Sequence, residues 1–231
     1  MNVIKKIKEC FFGNKDINYD YNKSRRQFRQ SALDNKASVI DSLSIDDMDD
    51  LTIDIAVFMG NSNSLILHIS GTHGVEGFIG SEIQNSILQN YRNKYKENSP
   101  TVIFVHGLNP FGMKYLRRVN ENNVDLNRNA LFGDEERDGN YNKCLYEKID
   151  NVINPKYPFP NTILSKLYRL YKMGISIYKN GFENSKRSMI TGTYDKKYEK
   201  CLFYGGDELQ KSHKLLKKYL EDNNYLQNTK N

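Results

Sequence analysis

Tryptophan is absent from this chain, and so is any long apolar run. Without about 20 consecutive apolar residues, no segment is expected to span a membrane. The opening "MNVIKKIKECFFGNKD" lacks both a continuous apolar core and a small-residue cleavage site, so it does not read as a secretory leader. Cysteine is scarce, and Cys10, Cys144 and Cys201 are odd in number and far apart. They form neither a CxxC metal knuckle nor a disulfide framework, which points to a reducing compartment. A basic stripe is missing too. The formal charge of +6 comes from 34 basic and 28 acidic residues dispersed along the chain, so solvated lysines explain it better than a nucleic-acid partner. Together these absences predict a cytoplasmic protein with no nucleic-acid and no membrane partner.

What is present begins with 16 tyrosines and 11 phenylalanines in 231 residues. That length buries a real core in one large domain, here an aromatic-rich one. Residues 1–46 read as a polar, helical N-terminal segment packing on the core, with Phe28 and Ala32 on one face. Residues 47–231 read as the main domain. "LTIDIAVF" (51–58) alternates at strand period, "GNSN" (60–63) signals a turn, and "SLILHIS" (64–70) is a second strand, so 51–70 reads as a hairpin. Helical spacing follows from about Glu76 to Tyr95, and "TVIFVHGL" (101–108) is apolar enough for a strand covered on both faces. Strand, helix and strand within that span make a βαβ unit. The predicted fold is therefore α/β, with a central mostly parallel or mixed sheet flanked by helices. Residues 109–140 look loop-like, and further helices are expected near 141–150, 161–180 and 208–222.

The stretch "SGTHGVEG" (70–77) stands where a strand ends and a helix begins. In α/β sheets, ligands bind outside the carboxyl ends of strands. His73 and Glu76, three apart on a first helical turn, face the same way and suit one metal ion, zinc above all. The flanking glycines permit a sharp turn and close backbone approach. An ordinary polar turn has the same spacing. Downstream, "NPFGMKYLRRVNENNVDLNRNALFGD" (109–134) holds Arg118, Asp125, Asn127 and Arg128. An arginine fork with an adjacent amide binds a carboxylate, and Asp125 can orient a metal-bound histidine from behind. A solvated polar loop is the plain alternative.

HxxE, NPxG, Arg and "VDLNRN" in that order resemble the zinc metallocarboxypeptidase superfamily, the carboxypeptidase A and succinylglutamate desuccinylase type. More closely, "SRRQFRQSA", "LTIDIAV", "SGTHGVEGFIGSEIQ", "LNPFGMKYLRRVNENNVDLNRN" and "LFYGG" resemble an uncharacterised subfamily of it, a domain of unknown function. The resemblance implies a carboxypeptidase-like fold with His73 and Glu76 as zinc ligands and Arg118 as the catalytic group that polarises the scissile carbonyl. It implies Asn127 and Arg128 as the grip on the substrate's carboxylate, and Asp125 as the acid bonded to the first histidine. The substrate would be a peptide or acyl-amino acid with a free carboxylate, cleaved by zinc-activated water.

The resemblance also calls for a third ligand, a histidine after "FYGG" and a helix, and for a later glutamate as general base. The chain ends at "LFYGGDELQKSHKLLKKYLEDNNYLQNTKN", and the expectation is a C-terminally truncated domain. His213 lies in a lysine-rich helix and reads as solvated, His106 as a strand-end histidine, and His68 as structural. Two ligands alone hold zinc weakly. Three explanations follow: a truncated or split gene product, a pseudoenzyme binding a carboxylate-bearing peptide or partner without turnover, or an enzyme completed by another chain or in a homo-oligomer.

Overall fold

In the computed structural model, residues 18–46, 50–91, 98–131, 142–157 and 160–226 are described. The chain divides into two compact units: residues 1–121 with 211–231, and residues 122–210.

The first unit is built on a four-stranded sheet. Helix α1 (Tyr21–Asp34) starts at Asp20, whose carboxylate accepts the Lys23 amide at 2.9 Å; such an N-cap satisfies one of the first turn's unpaired amides. Strands β1 (Val39–Asp46), β2 (Leu51–Phe58) and β3 (Leu65–Ile69) follow, then helix α2 (Gly74–Tyr91), strand β4 (Thr101–His106) and the short helix α3 (Pro110–Lys114). Helix α8 (Lys211–Asp222) closes the unit. The strand order is β1-β2-β4-β3, with β1/β2 and β2/β4 antiparallel and β3/β4 parallel. The α/β expectation with a mixed sheet flanked by helices holds, and the parallel part is the β3–α2–β4 crossover alone.

Two readings change. Residues 51–70 are not a hairpin, because β4 lies between β2 and β3. Every residue of β2 is buried and nearly every one of β4, so both take the central places. β3 is partly exposed along its length and takes the edge. The hairpin is β1–β2 instead. Residues 39–46, expected to be helical, are therefore a strand; residues 1–17, with Cys10, fall outside the described residues.

Strand period 2 sorts the sheet's two faces. Ala56, Phe58, Val102 and Phe104 face one way and pack with Phe28 and Ala32 of α1 and Leu88 of α2. Asp41 and Ile45 of β1 meet α8, through Tyr219 Oη donating to Asp41 Oδ2 at 2.7 Å and Lys211 Nζ donating to the Ile45 carbonyl.

The second unit is helical. It contains α4 (Leu126–Asn129), α5 (Lys143–Ile153), α6 (Ile163–Asn180), α7 (Phe182–Thr191) and a 3-10 turn at Lys196–Tyr198. Its core is aromatic, with the fully buried Tyr146 ring 4.8 Å from that of Tyr198 and nearly edge-on to it. The region expected to be loop-like holds α3 and α4, and α7 is an unexpected helix. Residues 132–134 of the long motif fall outside the described residues. Among the described residues, no helix is long and apolar enough to cross a membrane.

Candidate functional site

His73 and Glu76 stand on the link from β3 into α2. That link lies against the link from β4 into α3, because Leu108 N donates to the Ser70 carbonyl at 3.0 Å and Asn109 N to the Gly71 carbonyl at 2.8 Å. Glycine is required at this crossing. Gly71 has φ +72°, and a Cβ on Gly74 would lie 1.8 Å from the Gly112 carbonyl carbon. The glycines of "SGTHGVEG" and "NPFG" thus let two strand-end loops touch backbone to backbone.

The side chains then converge. His73 Nδ1 is 3.0 Å from Glu76 Oε2, and Arg118 Nη1 is 3.7 Å from Glu76 Oε1. His73 is nearly covered, Arg118 half-exposed and Glu76 open to solvent. Donor atoms 3.0 Å apart suit one ion bonded at about 2.1 Å to each, at an angle of about 90°. A nitrogen and a carboxylate oxygen are also the donor types zinc takes. The donor set nevertheless stops at two, since among the described residues no group of three His, Cys, Asp or Glu could hold a metal.

Asn109, which sequence reasoning passed over, fixes Arg118. It is fully buried, caps α3 by accepting the Gly112 amide at 2.8 Å, and donates through Nδ2 to the Arg118 carbonyl at 3.2 Å. An Asn before a Pro at a helix start was the available signal.

Asp125, Asn127 and Arg128 belong to the helical unit. Asp125 is fully buried and starts α4, accepting the Asn127 amide at 3.0 Å through Oδ1 and Arg128 Nη1 at 2.9 Å through Oδ2. Arg128 lies over the Phe203 ring, 5.4 Å from its centroid, and its Nε is buried without a hydrogen-bond partner among the described residues. Its carbonyl accepts the Tyr194 hydroxyl at 2.6 Å, while Asn127 is exposed. Asn129 was another omission. It donates to the Gly205 and Glu208 carbonyls, each at 2.8 Å, and accepts the Gln210 amide at 2.7 Å, tying "VDLNRN" to "LFYGG".

The other histidines are packed. His106 is fully buried, stacked on Phe28 at 4.9 Å, with Nε2 at 3.1 Å from both Ser24 Oγ and Ser81 Oγ. Burial pushes its pKa down to about 4, with nearby Asp54 opposing and Arg25 adding to the fall. His68 packs on Phe104, and Gln84 Nε2 approaches its Nδ1 at 3.3 Å. His213 is buried rather than solvated, because α8 turns Ser212, His213, Leu216 and Leu220 inward and exposes Lys211, Lys214 and Lys218.

No curated protein and no solved structure matches the chain. The stretches that the sequence singled out are instead those the structure ties together: Arg25 of "SRRQFRQSA" to Asp54 of "LTIDIAV", and "NRN" to "YGG". They fall within residues 18–230, which match the model of the family described as "Protein of unknown function (DUF2817)", and the chain belongs to that family.

Proposed function

We propose that the chain carries a zinc-dependent amide-hydrolase site of the metallocarboxypeptidase kind. His73 and Glu76 are the metal donors, and Arg118 polarises the carbonyl and stabilises its oxyanion. Asn127 and Arg128 take the free carboxylate of a peptide or acyl-amino acid. The observation that carries this reading is the Glu76 carboxylate, with His73 on one oxygen and Arg118 near the other. A cation held beside the metal-binding carboxylate is where an oxyanion would need it. Bound zinc would supply an acidified water and a Lewis acid. Among the described residues the donor set is two, and a completing chain or a second copy is proposed to supply a further ligand. Cytoplasmic location is part of the proposal, supported by the free thiols of Cys144 and Cys201.

A second reading is favoured by the donor count: recognition of a carboxylate-bearing partner without turnover. One titration separates the readings. Purified protein and the His73→Ala variant are compared for zinc uptake, then for chelator-sensitive release of C-terminal residues from acylated dipeptides. Zinc uptake that His73→Ala abolishes, with release, supports the hydrolase. Equal, negligible zinc in both proteins, without release, ends the enzyme reading and selects the second.

A further inference from the structure

Helix α6 is oriented against the ordinary rule. Its sequence "ILSKLYRLYKMGISIYKN" puts Ile163, Leu167, Leu170, Tyr171 and Tyr178 on one face at helical spacing. That apolar face should be covered. Instead Leu167 is 56% exposed, Tyr171 64% and Tyr178 90%, and no residue of the helix is buried. The half-buried positions are Ser165, Ile175, Ser176, Ile177 and Asn180. Helix α7, joined through Gly181 at φ +79°, repeats the inversion: Ser185 and Ser188 are buried while Phe182 and Ile190 are 62% and 60% exposed. In α6 only Ile175 and Ile177 among the large apolar side chains turn inward, and the two consecutive helices leave most of the others exposed. Apolar surface of this extent marks an interaction site.

Charge decides what covers it. Residues 151–191 carry seven cations, Lys156, Lys166, Arg169, Lys172, Lys179, Lys186 and Arg187, against one carboxylate, Glu183. Helix α6 has no carboxylate at all. A second copy docking by the same patch would set these cations against their own equivalents. An anionic surface with an apolar interior satisfies both features: acyl chains take the leucines and tyrosines, and headgroups take the lysines. An open cleft of about 370 Å³ between the end of α5 and α6 adds a place for a headgroup, lined by Lys156, Arg169 and Lys172 with Tyr157 and Tyr168. We propose that α6 and α7 dock the protein on an anionic lipid surface, with α6 lying in the interface plane. This departs from the expectation of no membrane partner, which rested on the lack of a spanning segment; lying on a bilayer needs none, and none is present among the described residues.

Vesicle co-sedimentation of the full chain tests the proposal. Wild type is expected to sediment with phosphatidylcholine–phosphatidylglycerol vesicles, not with phosphatidylcholine alone, and less at high salt. The Leu167→Glu/Tyr171→Glu variant is expected to stay in solution. Lys166→Gln/Lys172→Gln is expected to bind roughly thirty-fold more weakly, from about 1 kcal/mol for each cation at an anionic surface. All four side chains are exposed, and an unchanged thermal melt shows that the variants fold. Failure of wild type to bind anionic vesicles overturns the proposal whatever the variants do, as does wild-type-like binding by the folded Leu167/Tyr171 variant. Self-association that this variant abolishes, without vesicle binding, assigns the face to a second copy. Retention on RNA without vesicle binding assigns it to a polyanion.

Discussion

Gly74 and Gly112 pass so closely that neither has room for a side chain: a Cβ on Gly74 would lie 1.8 Å from the Gly112 carbonyl carbon, and one on Gly112 would meet Asn109 Nδ2 at 2.5 Å. The obstacle at Gly74 is backbone, which cannot rotate away. Gly74→Ala is expected to lose at least about 2 kcal/mol, at the upper part of the range for overpacking. Gly174 in α6 is the control, since nothing lies within 4 Å of a Cβ there. Gly174→Ala is expected to be neutral, or to gain up to about 1 kcal/mol of helix propensity. Urea denaturation of both variants measures the contrast, and equal stabilities would show that the two loops do not cross as described.

The same glycines explain how far the sequence could be read. Strand and helix periodicity located β2, β3, β4 and the long helices, because each carries its own apolar pattern. Pairing was another matter. A turn signal at "GNSN" suggests that its flanking strands are neighbours, yet β4 separates them. That choice is made by burial of a strand some 30 residues later, which no local signal encodes. His73 and Glu76 were legible from their spacing, and their side chains meet at 3.0 Å. The roles of Asn109 and Asn129 were not, since in a chain so rich in asparagine a buried hub looks like any surface amide. His213 misled for a related reason. Its lysine neighbours in sequence lie on the opposite face of α8 from its neighbours in space.

Asp54 is fully buried in the central strand β2 and depends on Arg25. The guanidinium donates Nε to Oδ2 at 2.8 Å and Nη2 to Oδ1 at 3.3 Å, with Arg29 Nη1 also 3.3 Å from Oδ1. Removing the main partner takes the donor from Oδ2 and leaves the buried carboxylate to Arg29 and the hydroxyls of Ser42 and Thr52, all on Oδ1. Arg25→Ala is therefore expected to cost about 3–5 kcal/mol in chemical denaturation. Replacing both residues with apolar ones, Arg25→Met with Asp54→Leu, is expected to recover much of that loss. A double variant no more stable than Arg25→Ala would show that the carboxylate was not the source of the cost.

Asn129 satisfies two carbonyls and one amide of the segment 205–210. Asn129→Ala leaves these groups without their partner, and each buried group so left costs about 1–3 kcal/mol. The loss is expected to be local first. Hydrogen exchange at the Gln210 amide is expected to accelerate in the variant before the sheet unit is affected. An unchanged rate at Gln210 would mean that water or another group replaces the asparagine without cost.

His106 makes the fold sensitive to mild acid. Its ring is enclosed by Phe28, Ser24 and Ser81, with the Asp54 carboxylate favouring the imidazolium and the Arg25 guanidinium opposing it. Burial dominates, so the folded protein holds the imidazole neutral down to about pH 4, whereas an unfolded chain protonates it near 6.5. Below 6.5 the unfolded state therefore binds a proton that the native state refuses, and stability falls with pH until about 4, where both states are charged. The loss contributed by this one group is on the order of 3 kcal/mol across that window. Carboxylates titrate in the same range, so the comparison is with His106→Gln, which keeps them all. Wild type is expected to be the more steeply acid-sensitive of the two, with the difference between their unfolding free energies shifting by that amount from pH 7 to pH 4. Parallel pH profiles would mean that water reaches the ring and lets it protonate in the folded state.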